Sequence, residues 1–341
     1  MVLATCLLAA CGGSSAARDP GANGLVPIGA GLDGPAGLSA TVYARGLPQA
    51  AAFAFDPQGR LWVATAAYSD DGKDGLYLVT RVNAKPIEVV PGLHTPLGLL
   101  WYQGALYVSS NDRVDAFSGF NGTAFTTRRT VVTFPADVGE NNTMVLAPDG
   151  RIWMGISAPC DHCVPSLPWS AAVVSFLPSG GGLQVEASGI RAPVGLAYYP
   201  GTDDLFMSVN QRDDLGNNTP GDFLAIVQSG QAWHFPSCYE QGGAACTGVP
   251  RPVAVLDKHA AVSDVAIVTG QLGTAVGTSA IVAEWAVGKV QRVALTKTTT
   301  GYAGTVQPFL TGIKNPVAVV LGPDGALFVA DWTTGIVYRI T

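Results

Sequence analysis

The sequence predicts an all-β fold, a six-bladed β-propeller of four-stranded antiparallel blades, and three observations carry that expectation. A phrase made of a turn signal and an alternating apolar strand recurs at spacings of about 46 to 52 residues. A second phrase, a Gly-led loop running into Pro and small apolar residues, precedes most copies. Composition agrees: 48% of the residues are hydrophobic and 13% charged, with 42 Gly and 23 Pro, a mix that suits short buried strands joined by tight turns.

The first copy is Asp56-Pro57-Gln58-Gly59-Arg60-Leu61-Trp62-Val63-Ala64 and the second Tyr102-Gln103-Gly104-Ala105-Leu106-Tyr107-Val108-Ser109. The third is Pro148-Asp149-Gly150-Arg151-Ile152-Trp153-Met154-Gly155, the fourth Pro200-Gly201-Thr202-Asp203-Asp204-Leu205-Phe206-Met207-Ser208, and the last Pro323-Asp324-Gly325-Ala326-Leu327-Phe328-Val329-Ala330. In each, glycine supplies the positive φ of a hairpin turn, and alternation of large and small apolar residues suits a strand packed on both faces. Entry loops such as Gly92-Leu93-His94-Thr95-Pro96, Gly189-Ile190-Arg191-Ala192-Pro193 and Gly312-Ile313-Lys314-Asn315-Pro316 would lead into innermost strands at a crowded axis. The gap of about 123 residues between the fourth and last copies accommodates one degenerate blade, residues 253–295, and a loop insertion over residues 212–252. The segment Gly335-Ile336-Val337-Tyr338-Arg339-Ile340 ends the last blade, or closes the ring with the strand near Thr41.

A net charge of −6 with interspersed signs, and no Lys or Arg run able to track a phosphate backbone, makes nucleic acid an unsuitable partner. The apolar stretch at residues 2–10 is too short to span a bilayer. With Leu8-Ala9-Ala10-Cys11 it resembles a bacterial lipoprotein leader cleaved before a lipidated Cys11, so residues 1–11 are expected as leader and anchor, residues 12–38 as a flexible tether, and residues 39–341 as the propeller. Membrane contact would then be through the lipid alone, on the periplasmic side, with Gly12 after the cysteine resembling the outer-membrane sorting pattern. Four cysteines remain in two close pairs, Cys160 with Cys163 and Cys238 with Cys246, which an oxidising compartment favours as local disulfides. A zinc site, using His162 or both cysteine pairs converging across the fold, is the alternative, and no βαβ pattern supports a thioredoxin-like role.

Propellers bind ligands at one mouth of the central channel, on loops that enter or leave the inner strands. Arg191 lies on such a loop, and the densest polar cluster, Asn210, Gln211, Arg212, Asp213, Asp214, Asn217, Asn218 and Asp222, follows one hairpin later. A turn-capping or ion-paired structural role remains open for this cluster. Asp70, Asp71 and Asp74 lack calcium-loop spacing and read as a solvated hairpin, and His94 reads as structural.

Asn210-Gln211-Arg212-Asp213-Asp214-Leu215-Gly216, Pro220-Gly221-Asp222 and Trp233-His234-Phe235-Pro236-Ser237-Cys238-Tyr239 resemble the stretch of L-sorbosone and soluble glucose dehydrogenases that reads N-E-R-D-x-L-G, P-D, then Y-G-W-P-x-C-Y. Gly189-Ile190-Arg191-Ala192-Pro193 resembles their G-L-R-N-P, Cys160-Asp161-His162-Cys163 their cysteine pair, and Lys258-His259-Ala260-Ala261 the loop that follows. The resemblance spans residues 41–341 and is most specific over residues 189–239.

What it implies is a six-bladed propeller that uses pyrroloquinoline quinone (PQQ) with calcium to oxidise a sugar hydroxyl or hydrated carbonyl, passing electrons to a periplasmic acceptor. Arg191, Asn210, Arg212 and Trp233 would hold the cofactor, and Asp213, Asp214 and Asp222 the calcium loop. Arg191 and His259 would line the reacting centre. Where the family carries its histidine base, this chain has Gly139-Glu140-Asn141-Asn142-Thr143, making Glu140 the candidate base. The family's late H-G-S-W-N-R segment has become Ala283-Glu284-Trp285-Ala286-Val287. These departures leave a second reading, a catalytically inactive propeller that binds a carbohydrate or protein at the cell envelope. Glu140, Asn210 and Asp264 are too few inward ligands to favour a calcium-dependent hydrolase.

Overall fold

The computed structural model describes residues 24–69, 73–239 and 244–341. Cys11, the leader and residues 12–23 of the expected tether therefore lie outside the described residues, as do Asp70 and Asp71. Within them are six antiparallel sheets in a ring and one small hairpin. Two three-residue 3₁₀ turns are the only helical elements among the described residues, so none there is long and apolar enough to cross a membrane.

The innermost strands are Ala50–Phe55, Gly98–Tyr102, Asn141–Leu146, Ala192–Tyr198, Val262–Thr269 and Pro316–Leu321, opening blades 1 to 6 in that order. Each blade then runs outward strand by strand. The ring closes where Ala40–Ala44 pairs with the last strand, Ile336–Ile340, supplying the fourth strand of blade 6 from the opposite end of the chain.

A single sheet leaves two apolar faces in water, so each blade is stable only against its neighbours. The core accordingly falls into wedges between blades. Trp62 is wholly buried between blades 1 and 2 against Trp101, Phe120 and Phe125. The wedge of blades 5 and 6 is filled by Phe309, Ile281 and Val329. The recurring turns hold their hairpins through the aspartate: Asp56 Oδ1 accepts the backbone N–H of Gln58 and Arg60, Asp149 that of Arg151 and Asp324 that of Ala326. Asp56 Oδ2 also accepts from Trp62 Nε1 at 3.0 Å, tying the first turn to the core.

Near the axis the blades approach so closely that side chains do not fit. A Cβ on Gly155 would stand 2.0 Å from the carbonyl oxygen of Pro193 on the next blade, and one on Gly98 would stand 2.4 Å from that of Asn142. Gly155→Ala is expected to destabilise the protein by about 3 kcal/mol, because the obstacle is backbone and cannot turn aside. Chemical denaturation measures this, and an unchanged midpoint would show that the blades can spread.

Two expectations are corrected. Residues 24–38 are not all tether: Val26–Gly29 and Leu32–Gly34 form a hairpin whose Ile28 and Leu32 are buried in the blade 5–6 wedge, with Asp33 and Thr311 exchanging backbone hydrogen bonds. The segment 212–252 is not a loop outside the blades. It contains Gly221–Val227, the third strand of blade 4, and Gln231–Ala232, which adds a short parallel fifth strand to blade 3. Blade 4 is completed by Ala254–Lys258, so blade 5 begins at Val262 rather than near Val253.

Candidate functional site

In such a blade the loop between second and third strands and the loop between successive blades emerge on the same face. Hydrogen bonds join them there: Ser157 N–H donates to Glu140 O, Ala158 N–H to Arg191 O and Trp285 N–H to Ala261 O. One mouth of the ring thus collects Glu140 and Arg191 from interblade loops, and residues 157–171 and 211–220 from loops within blades 3 and 4.

At this mouth lies a cavity of about 630 Å³ whose lining includes Asp137, Glu140, Arg191, Asn210, Asp213 and Asp222. Five residues expected to act together do meet. They are held differently from what their sequence positions imply.

Arg191 is fixed by the disulfide loop. Its Nη2 donates to Asp161 Oδ1 at 2.7 Å, its Nε to Asp161 O at 3.0 Å, and its Nη1 to Asn210 O at 3.4 Å. Asp161 also accepts the backbone N–H of Asp213 and Asp214, at 2.9 Å each. The short loop closed by Cys160 and Cys163 thereby joins the Arg191 loop to the Asn210 loop. Both expected disulfides are present, Cys160 with Cys163 and Cys238 with Cys246. With all four thiols consumed in disulfides the zinc alternative has no thiolate ligands, and no three His, Cys, Asp or Glu side chains cluster to replace them among the described residues. Sequence reasoning passed over Asp161; its place in the long inner loop of blade 3, between two cysteines, was the available signal.

Glu140 is presented by clamped neighbours. Asn141 Nδ2 donates to Ser110 O at 2.7 Å and Asn142 Nδ2 to Ser157 Oγ at 2.9 Å, both side chains buried. Protein around the Glu140 carboxyl limits its hydration and pushes its pKa up, against the pull of the Arg191 charge. Asp222 is buried, accepts the N–H of Gln211 and Val262, and so ties blade 4 to blade 5; burial raises its pKa to about 6. Asn210 Oδ1 is buried with no hydrogen-bond partner among the described residues.

Four residues are committed elsewhere. Arg212 Nε and Nη2 clasp both oxygens of Asp214 at 2.6 Å, and its guanidinium lies 4.4 Å from the Tyr239 ring centroid. Arg212 is thus not an open cofactor clamp, nor Asp214 a ready metal ligand. His259 faces acceptors on both sides, Asp213 Oδ1 at 2.7 Å from Nδ1 and Gly216 O at 2.9 Å from Nε2, so the ring carries two protons and its pKa is raised. It orders the loop and has no nitrogen left to take a proton. Trp233 is buried against Phe223, ring centroids 5.7 Å apart, in the wedge of blades 3 and 4. Its indole belongs to the core, not to a cofactor face. Asp74, read as solvated, is buried and accepts the N–H of Ala67 and Thr95.

No family model and no curated protein matches the sequence. Solved structures do match. The holo PQQ domain of pyranose dehydrogenase from Coprinopsis cinerea superposes with a TM-score of 0.74 at 18% identity, covering 91% of this chain and 97% of that one. The PQQ-bound aldose sugar dehydrogenase of Streptomyces coelicolor gives 0.72 at 20% identity, over 90% and 100%. A calcium structure of a Trichoderma reesei carbohydrate-active enzyme gives 0.70 at 16%, over 91% and 97%. The chain is therefore a six-bladed β-propeller with the fold of the PQQ-dependent aldose and pyranose dehydrogenases.

Proposed function

We propose that the chain is an exported, lipid-anchored sugar dehydrogenase of the quinoprotein type, using calcium and PQQ at the mouth and passing electrons to a periplasmic acceptor. The observation that carries the reading is the convergence of Glu140, Arg191, Asn210, Asp213 and Asp222 on one cavity, in a fold whose solved examples include quinone-bound sugar dehydrogenases.

The residues fit the pair of cofactors, calcium first. Asn210 Oδ1 is a buried oxygen lacking a donor; on the same cavity stand Asp213, one of whose oxygens faces His259, and Asp222, which already accepts two backbone N–H groups, so calcium would draw on their remaining lone pairs together with backbone carbonyls. Four carboxylates and one arginine among the lining residues would repel an anionic quinone, and a divalent cation offsets that surplus. When bound, the quinone supplies the two-electron acceptor and calcium the polarising charge. Arg191, held rigid by Asp161, orients an oxygen-rich ligand without having to be ordered at the moment of reaction. Glu140 accepts the proton of the sugar hydroxyl as the C–H hydrogen leaves with its electron pair, and its raised pKa brings it closer to the basicity such a role needs.

Quinone uptake is expected to require calcium. Equilibrium binding of PQQ in calcium against a chelator should differ by at least about 100-fold, and Asn210→Ala should weaken calcium-dependent uptake. Uptake indifferent to calcium would contradict the assignment. Glu140→Gln is expected to leave the quinone bound while lowering turnover about 100-fold or more, with loss of the acid limb of the pH–rate profile.

One observation favours the second reading. Arg212 and His259 are consumed by internal carboxylates, so the mouth offers a cofactor fewer cations than its sequence suggests. Sugar binding without quinone uptake would mark a propeller that holds its ligand unchanged.

A further inference from the structure

The half of the mouth away from Arg191 has a different surface. Trp285, in the inner loop of blade 5, is 36% exposed, and Tyr68, in that of blade 1, is 54% exposed. Trp332, in that of blade 6, stands between them. Its ring lies 5.9 Å from that of Trp285, edge to face, and its Nε1 donates to Ala66 O at 2.9 Å, two residues before Tyr68. The rim meets the cavity at its Trp285 end. Trp285 N–H bonds to the carbonyl of Ala261, which lines the cavity. Tyr68 also holds a left-handed backbone, φ +57°, a cost that a bulky residue bears only where its placement is enforced.

We propose that Trp285, with Tyr68 farther along the same rim, forms a second sugar subsite that takes the neighbouring pyranose ring of an uncharged oligosaccharide bound at the mouth. The inference rests on the sugar-binding reading above and extends it from a monosaccharide to a chain. A pyranose has an apolar C–H face and an edge of hydroxyls, and this rim sets the exposed Trp285 indole beside the Asn315 amide, which also meets the Thr333 hydroxyl. The acidic surplus of the cavity excludes chains carrying carboxylates or sulfates. A protein-docking patch would need a contiguous apolar area of several hundred Å². Here single rings alternate with Asn315, whose Nδ2 bonds to Trp285 O, and with the exposed Thr333 and Thr334.

The test is calorimetric titration of the full folded protein with glucose, maltose and maltotriose, and with the cello- and xylo-oligosaccharides of the same lengths. One series should bind about tenfold tighter on gaining its second ring, the contribution of one aromatic stack. In Trp285→Ala the disaccharide should bind no better than the monosaccharide does in that same variant, and Trp285→Phe should recover part of the gain. Equal gain in Trp285→Ala, or monosaccharide binding with no gain in any series, overturns the subsite while leaving the sugar reading intact. Failure to bind any saccharide overturns both. Protein capture that depends on Trp285 in place of sugar binding makes the rim a docking surface and also ends the proposal.

Discussion

Asp161→Ala is expected to weaken ligand binding at the mouth by about 10- to 100-fold, the usual scale for removing a residue that orients a contacting group. Asp161 touches no ligand in this account. It acts by receiving Arg191 Nη2 and the N–H groups of Asp213 and Asp214, so that one carboxylate locks two loops from different blades. Without it Arg191 keeps its bonds to two carbonyl oxygens, and the backbone that presents Asp213 loses its anchor. Stability should fall by about 2 kcal/mol, a modest figure because the carboxylate is partly exposed and solvent screens it. Asp161→Asn keeps an acceptor for the N–H groups and places an amide against the guanidinium, so it should recover stability more than affinity. Affinity unaltered in both variants would reduce Asp161 to a loop-ordering residue.

Between pH 4 and 8 the protein is expected to lose stability steadily, contrary to the usual behaviour of salt-bridged carboxylates. Asp264 lines the axial channel, with Oδ2 accepting the Val319 N–H at 3.3 Å, and burial raises its pKa to about 7. Glu284, fully buried with Oε2 lacking a hydrogen-bond partner, is raised to about 7 by burial and by the nearby Asp257 charge, against Lys289. Asp222 is raised to about 6. The unfolded chain releases these protons near pH 4, whereas the folded chain holds them to pH 6 or 7. The stabilisation is thus complete below about pH 4 and is lost as pH rises through the folded values. Asp264→Asn mimics the protonated form and should flatten the decline, retaining on the order of 2 kcal/mol at pH 8 relative to the parent chain. Melting temperatures across this range measure it. A parent curve that rises from pH 4 to 8 would mean that these groups ionise freely inside the ring.

The blades were legible because their turns repeat one piece of chemistry, an aspartate or glycine that satisfies the hairpin, followed by an alternating strand. Blade 4 hid its third strand because Gly-Asp-Phe-Leu-Ala-Ile-Val follows a polar loop without that turn, and its fourth comes only after a detour that pairs with blade 3. At the site, residue types were legible and partners were not. Arg212, Asp214 and His259 looked like free functional groups, yet each finds an acceptor or donor within its own loop or the adjoining one. Trp233 followed a family-like motif into the core because Phe223 offers it a flat apolar face. Asp161 required the ring itself, since only closure of blades 3 and 4 brings it to Arg191, 30 residues away in sequence.

The most direct measurement is the absorbance of protein-bound PQQ, loaded with calcium, on addition of an aldose. Bleaching of the oxidised quinone within the mixing experiment, slowed in Glu140→Gln and absent with free quinone alone, is the expected result. A bound chromophore that no aldose reduces would contradict oxidation at this mouth.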